Sequence, residues 1–362
     1  MTTQDSPLTI TWRPRHYEII FLVFACLTAL LVNIYSQLPF SWRLAEIFIL
    51  NAIKLTALVY ALTLPVILIR LGNHAEKHGV HSLRSSDALL ACLQPYFSFD
   101  FLFLTLRRAL ATLGVIYFFL HLKHIVLLIN TANFDLFYWN LDRSLHFGIQ
   151  PSVYLMENLG PNHEVSLAMD WLYKAYFKYK LIVSAIFMLE LGGRKLTENY
   201  FSAYTLLWSL GGLAYLITPT DGPCFAVLTQ YAVNPAELVH RFPFPVVKDL
   251  PIEYIQSYVG AKIWIAKNYQ ELLWSARLQF LSGQSLPDMF YGIAAMPSLH
   301  VSAVAMLAIF LKRLSLLGGI IGLIYLLVIF IGSIFLQWHY AVDGYAGLAI
   351  ACLVCWIYRK RD

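Results

Sequence analysis

The sequence predicts an all-α fold: a polytopic transmembrane helix bundle of about eight spans, with a six-helix core and additional N-terminal helices. Three observations predict it. Of 362 residues, 59% are hydrophobic and only 13% charged, against about 25% charged in soluble domains. Eight stretches reach or approach the roughly 20 consecutive apolar residues that a helix needs to cross a bilayer. Arginine and lysine fall mainly in alternate loops, as the positive-inside rule requires of a membrane-inserted chain.

The apolar stretches run near 17–36, 45–69, 108–130, 175–192, 199–218, 299–312, 315–336 and 341–358. The first follows Arg13 and Arg15, yet it is too long for a signal peptide and no small-residue cleavage site follows it. It reads as a retained anchor. Segment 87–106 is apolar but interrupted by Pro95 and Asp100, which suits an interfacial or re-entrant piece. Lys54, Lys123 and His124 sit at membrane depth, where a functional role and snorkelling near a helix end both fit. Residues 1–130 form the N-terminal membrane helices, and residues 131–362 the core.

With the N-terminus cytoplasmic, eight spans return the C-terminus to the same side. That side then holds Arg13, Arg15, Arg70, Lys77, Arg84, Arg107, Arg108, Arg194, Lys195, Lys312, Arg313, Arg359, Lys360 and Arg361. The short outer loops hold few cations, Arg43 and Arg143 within them and Lys174 at the edge of the fourth span, so the asymmetry has the expected sign. The long outer loop, 219–296, is exempt from that rule. Within it, 252–282 mixes Ile, Tyr, Trp, Leu and Phe with Lys262, Lys267, Glu271 and Arg277, the pattern of a helix lying in the interface. Such a helix serves either as a lid over a lipid site or as scaffold.

The net charge of +5 contains no basic block of the kind that binds nucleic acid. Cys26, Cys92, Cys224, Cys352 and Cys355 form no disulfide framework. Cys352 and Cys355 have redox spacing but lie in an apolar run, where packing is the simpler role.

Two short segments carry chemistry. Met296-Pro297-Ser298-Leu299-His300 opens the sixth span, and His339-Tyr340-Ala341-Val342-Asp343 opens the eighth. The histidines are 39 residues apart, about two membrane crossings, so both reach the outer face. Spacing i to i+4 places His339 and Asp343 on one helix face, where the carboxylate orients the imidazole as in a catalytic triad. Two imidazoles and a carboxylate suit displacement at phosphorus, one attacking while the other protonates the leaving oxygen. Both helix N-termini point at this face and form a potential anion site. Pro297 suits a first-turn position, and Ser298 suits either a phosphate contact or a cap.

These residues resemble the type 2 phosphatidate phosphatase superfamily, whose members carry Pro-Ser-x-His and a later His-x-x-x-Asp at the outer or lumenal face. The resemblance covers roughly residues 130–362. It implies that His339 is the nucleophile forming a phosphohistidine, Asp343 its partner, and His300 the acid for the leaving group, with no metal or other cofactor. The superfamily's phosphatases carry an arginine where Ser333 stands here, and an upstream Lys and Arg-Pro that this chain lacks before its sixth span. Pro-Ser-Leu-His, the Tyr215-to-Pro223 segment with Pro219 and Gly222, and Asp142-Arg143 through Pro151 look like the inositolphosphotransferase branch, which includes the inositol phosphorylceramide synthases. Ser298, Tyr215, Pro219, Gly222, Pro223, Tyr340 and Arg143 are the implied substrate-binding positions. Arg143, Lys262, Lys267 and Arg277 are the alternatives for the missing phosphate cations.

The expected function is therefore transfer of a phospho-headgroup from a membrane phospholipid to a lipid or glycan hydroxyl. The alternatives are a phosphatidate- or polyprenyl-type lipid phosphate phosphatase with water as acceptor, and a transporter or scramblase. A transporter would place polar sites near the midplane within repeated halves, and the sequence shows no such repeat.

Overall fold

The computed structural model describes residues 13–36, 40–84, 86–228, 251–281 and 292–359, and among these it is helical with no strand. The elements are α1 (His16–Tyr35), α2 (Trp42–His78), α3 (Ser86–Leu93), α4 (Phe99–Ile129), α5 (Asp135–Leu145), α6 (Pro151–Leu159), α7 (His163–Lys174), α8 (Tyr176–Met188) and α9 (Arg194–Ala214). In the long loop come α10 (Ile252–Gly260) and α11 (Trp264–Leu281), followed by α12 (Leu299–Leu314), α13 (Leu316–Phe335) and α14 (Ala341–Ile357).

The sequence places many of these boundaries through serine caps. Ser41, Ser98, Ser298 and Ser315 each accept a hydrogen bond from a backbone N–H in the first turn of α2, α4, α12 and α13. Four helices, α1, α2, α4 and α13, are long and apolar enough to cross a bilayer. The shorter apolar α14 packs with them against α12 and α9. Along α13, Leu316, Leu317, Ile320, Ile324, Leu327 and Ile331 remain exposed. A face this apolar has a low-energy neighbour only in lipid or another apolar surface. By contrast α12 is buried along most of its length and forms the axis of the core.

Three expectations change in detail. The stretch expected at 175–192 as one span holds only the 13-residue α8, which follows α7 across Ala175 and ends in a turn after Met188. Segment 87–106 is not one interfacial piece: a turn at 94–98, holding Pro95, separates α3 from α4, and residues 99–106 are the first turns of the long α4. The interfacial helix expected at 252–282 is broken at Ala261–Ile263 into α10 and α11, and residues 229–250 and 282–291 of that loop lie outside the described residues.

The bundle has two chemically distinct ends. At one, Arg107 bonds Glu18 at 2.6 Å, and the fully buried Arg108 bridges Glu190 and Glu198 at 2.6 and 3.0 Å. Arg313 at the same end donates to the Cys355 carbonyl. The other end gathers α5, the 215–224 segment and the starts of α12 and α14. α1 and α4 both pack on α9, so the N-terminal helices are built onto the core rather than set apart from it.

Candidate active site

The site starts where α12 and α14 start. Ser298 is the N-cap of α12, and its backbone N–H donates to the Asp343 carbonyl at 2.9 Å, tying the two segments together. Pro297 therefore precedes the cap instead of occupying the first turn. Ser298 is fully buried and its hydroxyl accepts from Val301, so capping is its role in this conformation. One turn further, Ser302 bonds the Gly347 carbonyl at 2.9 Å. A Cβ on Gly347 would lie 2.5 Å from the Ser298 carbonyl oxygen, so only glycine lets α14 approach α12 this closely.

His339 lies just ahead of α14 rather than on it. The chain leaves α13 through Gln337 at φ +65°, and the N–H groups of Trp338 and His339 both donate to the Ser333 carbonyl. Ser333 thus shapes the turn that delivers His339. Asp343 Oδ2 then accepts from the Tyr340 N–H at 3.0 Å and meets His339 Nδ1 at 3.2 Å. The expected pair exists, but a loop closed by the carboxylate makes it, not a shared helix face. The His300 and His339 rings lie 6.0 Å apart and nearly edge to face. His300 packs on Tyr176 at 4.6 Å and on Tyr173 at 5.3 Å.

Two buried carboxylates absent from the sequence-derived site hold this arrangement. Asp142 of α5 accepts from the N–H groups of Ala341 and Val342, at 2.8 and 2.9 Å. Those are the first N–H groups of α14, so that helix end is already satisfied and is not the open anion receptor expected from its polarity. Asp135 accepts from the N–H groups of Asp221 and Gly222 and from the Tyr340 hydroxyl, at 2.8, 2.9 and 2.9 Å. Burial pushes Asp142 up to about 6 against the pull of its two N–H donors. Asp135 is raised as well, first by burial and then by the Asp221 charge.

The expected substrate-binding positions divide. Tyr215 is buried and bonded to the Leu299 backbone beside His300. The Pro219 carbonyl accepts from Phe134, and Thr220 accepts from the N–H groups of Ala295 and Met296, so residues 219–224 stitch α5 to both histidine-bearing segments. Pro223 sits inside this buried turn. Gly222 has φ +90°, and a Cβ there would lie 2.4 Å from the Trp338 carbonyl oxygen. These residues, with Tyr340, form the frame around the histidines. Arg143 is exposed on α5, while its neighbour Asp142 turns inward.

The cations near the histidines come from several elements. Lys267 donates to the Val259 and Ala261 carbonyls. Arg277 is buried and paired with Asp221 at 2.6 Å. Lys123, near the C-terminal end of α4, lies within electrostatic reach of both imidazoles, and Lys180 of α8 within reach of His300. Lys180 is 5% exposed and sits over Trp208 at 4.8 Å and Tyr176 at 5.4 Å. Neither lysine has a carboxylate partner among the described residues. Lys180 was detectable as a charge inside an apolar stretch, and Asp135 and Asp142 as acids bordering the 130–151 segment, but no spacing linked them to His339.

Among the described residues no group of His, Cys, Asp or Glu is arranged to hold a metal ion. No curated protein and no solved structure matches the chain. A family model described as the PAP2 superfamily matches residues 137–357, which contain both histidines and Asp343. That match spans more than half of the sequence, and the chain belongs to the PAP2 superfamily, as a helical membrane enzyme of phosphatase or phosphotransferase type.

Proposed function

We propose that the enzyme is a lipid phosphotransferase that moves a phospho-headgroup from a phospholipid to a lipid or glycan hydroxyl through a phosphohistidine on His339. The observation that carries this reading is the facing pair of imidazoles, one bonded through Nδ1 to the buried Asp343. With its Nδ1 proton held by Asp343, His339 presents the Nε2 lone pair for attack.

In the first step Nε2 bonds to phosphorus and the ester P–O bond breaks. The leaving oxygen takes the electron pair and a proton from His300. In the second step the acceptor hydroxyl gives its proton to His300 as its oxygen bonds to phosphorus, and the P–N bond breaks. Asp343 stabilises the charge that His339 carries between the two steps. Lys123 and Lys180 offset negative charge on the phosphoryl oxygens, in place of the arginines that related phosphatases use. Burial of His339 and Asp343 restricts bulk water and favours a hydroxyl delivered by a bound acceptor. Pro-Ser-Leu-His and Ser333 support the inositolphosphotransferase branch.

The test supplies phosphorus-labelled phospholipids to membranes holding the wild type or His339→Ala. Label moving into a new lipid or glycan, absent from the variant, supports transfer. Release as inorganic phosphate instead makes the enzyme a phosphatidate- or polyprenyl-type phosphatase. Identical products from both proteins remove His339 as nucleophile.

A further inference from the structure

We propose that the bundle carries a second site, at the end opposite His339, which binds the phosphate headgroup of an anionic phospholipid. The two sites are separated by the length of α14, which begins beside His339 and is followed by its C-cap Tyr358. Its 17 residues span about 25 Å.

A cavity of about 680 Å³ lies there, lined by Arg13, Arg15, Arg194, Lys195, Glu198 and Tyr358 among others. That volume accommodates a headgroup. Four permanent cations face a single carboxylate, and Glu198 is already bonded to the buried Arg108. Two helices also start at this cavity. α1 begins at His16, and α9 begins at Arg194 with no side chain capping its first N–H groups. Their positive ends add to the side-chain charge. Arg194 Nε is buried and has no hydrogen-bond partner among the described residues. A phosphate in the cavity would supply the missing acceptor.

A lipid, rather than a soluble anion, is favoured by what borders the cavity. Ile19, Leu22 and Val23 are exposed on the first turns of α1 beyond His16, an apolar track on which acyl chains can lie. Trp356, two residues before Tyr358 in the cavity wall, is exposed on the last turn of α14 and is of the residue type enriched at membrane–water interfaces. The site needs no assumption about which phosphoryl reaction the enzyme performs.

The test uses the full chain purified in a neutral detergent and titrated with phosphatidylglycerol, phosphatidylcholine or glycerol 3-phosphate. Thermal midpoint and lipid retained in native mass spectrometry are read for the wild type and for Arg194→Gln/Lys195→Gln. Phosphatidylglycerol should raise the wild-type midpoint and be retained, phosphatidylcholine should not, and the double variant should bind about tenfold more weakly or worse. Should that variant fail to fold, Arg13→Gln, at an exposed position, gives the same reading in weaker form. Equal response to both lipids, or an unaltered response in the variants, overturns the site. Saturation by glycerol 3-phosphate alone overturns its assignment to a lipid.

Discussion

The carboxylate of Asp142 accepts from the backbone N–H groups of Ala341 and Val342, although the residues are about 200 positions apart in the chain. Helix α14 has no small polar residue at its N-cap, Tyr340, and α5 supplies the acceptor instead. The same helix end carries Asp343, so the position of the carboxylate proposed to act on His339 depends on Asp142. Asp142→Ala should cost about 1–3 kcal/mol of stability by leaving two buried donors unmet. It should also lower kcat more than it raises KM. A variant with wild-type turnover would show that α14 holds its own start.

The buried Asp142 also gives a pH signature. Its carboxyl is raised to about 6 from an ordinary 3.8, so folding favours its protonated form. That contribution is fully present below about pH 4 and is lost as pH rises through about 6. Asp135 is raised in the same direction, which extends the window upward. The thermal midpoint of the wild type should therefore fall between pH 4 and 6 more steeply than that of Asp142→Asn, measured in one detergent. Parallel slopes would assign the effect to other groups.

His339→Ala should abolish turnover while leaving the fold intact. Asp343→Asn should reduce kcat by about 10⁴, as loss of the triad carboxylate does elsewhere. An acid-labile, base-stable phosphoenzyme trapped from wild type and missing from His339→Ala would identify the bonded atom as histidine nitrogen. Detecting it in the alanine variant would move the nucleophile to another residue.

Lys180→Met keeps the length of the side chain and removes its charge. We expect kcat/KM to drop by about 10²–10³, the usual effect of losing one electrostatic contact to the transition state. The thermal midpoint should hold or rise, because a buried cation without a carboxylate is replaced by an apolar group. Lys123→Met should lower activity in the same way. Unchanged kinetics in both variants would return the lysines to a purely packing role.

Orientation is accessible through cysteine labelling in a background without the native cysteines. Phe147, 98% exposed beside α5, and Val80, 73% exposed beyond α2, lie near opposite ends of the bundle. A membrane-impermeant reagent applied from outside should label Phe147→Cys and spare Val80→Cys. The opposite pattern would invert the topology that the basic residues imply.

The helical membrane architecture and the grouping of His300, His339 and Asp343 were legible in the sequence. Each is written in local terms: an apolar run, a serine cap, a four-residue spacing. The means by which those residues meet was not local. His339 reaches Asp343 through a turn organised by the Ser333 carbonyl, and Asp142 and Asp135 hold the residues after it from about 200 positions away.

The sequence left the choice of cations open. Arg143, although next to Asp142 in the chain, faces outward, whereas Lys123 and Lys180 come in from α4 and α8. A buried charge has no sequence signal that names its partner, because attraction depends on distance in space and on the surrounding dielectric. The sequence by itself determined that this chain is a membrane bundle with a histidine–carboxylate pair. Only the packing of α4, α5 and α8 around α12 and α14 decided which acids brace that pair and which lysines lie beside it.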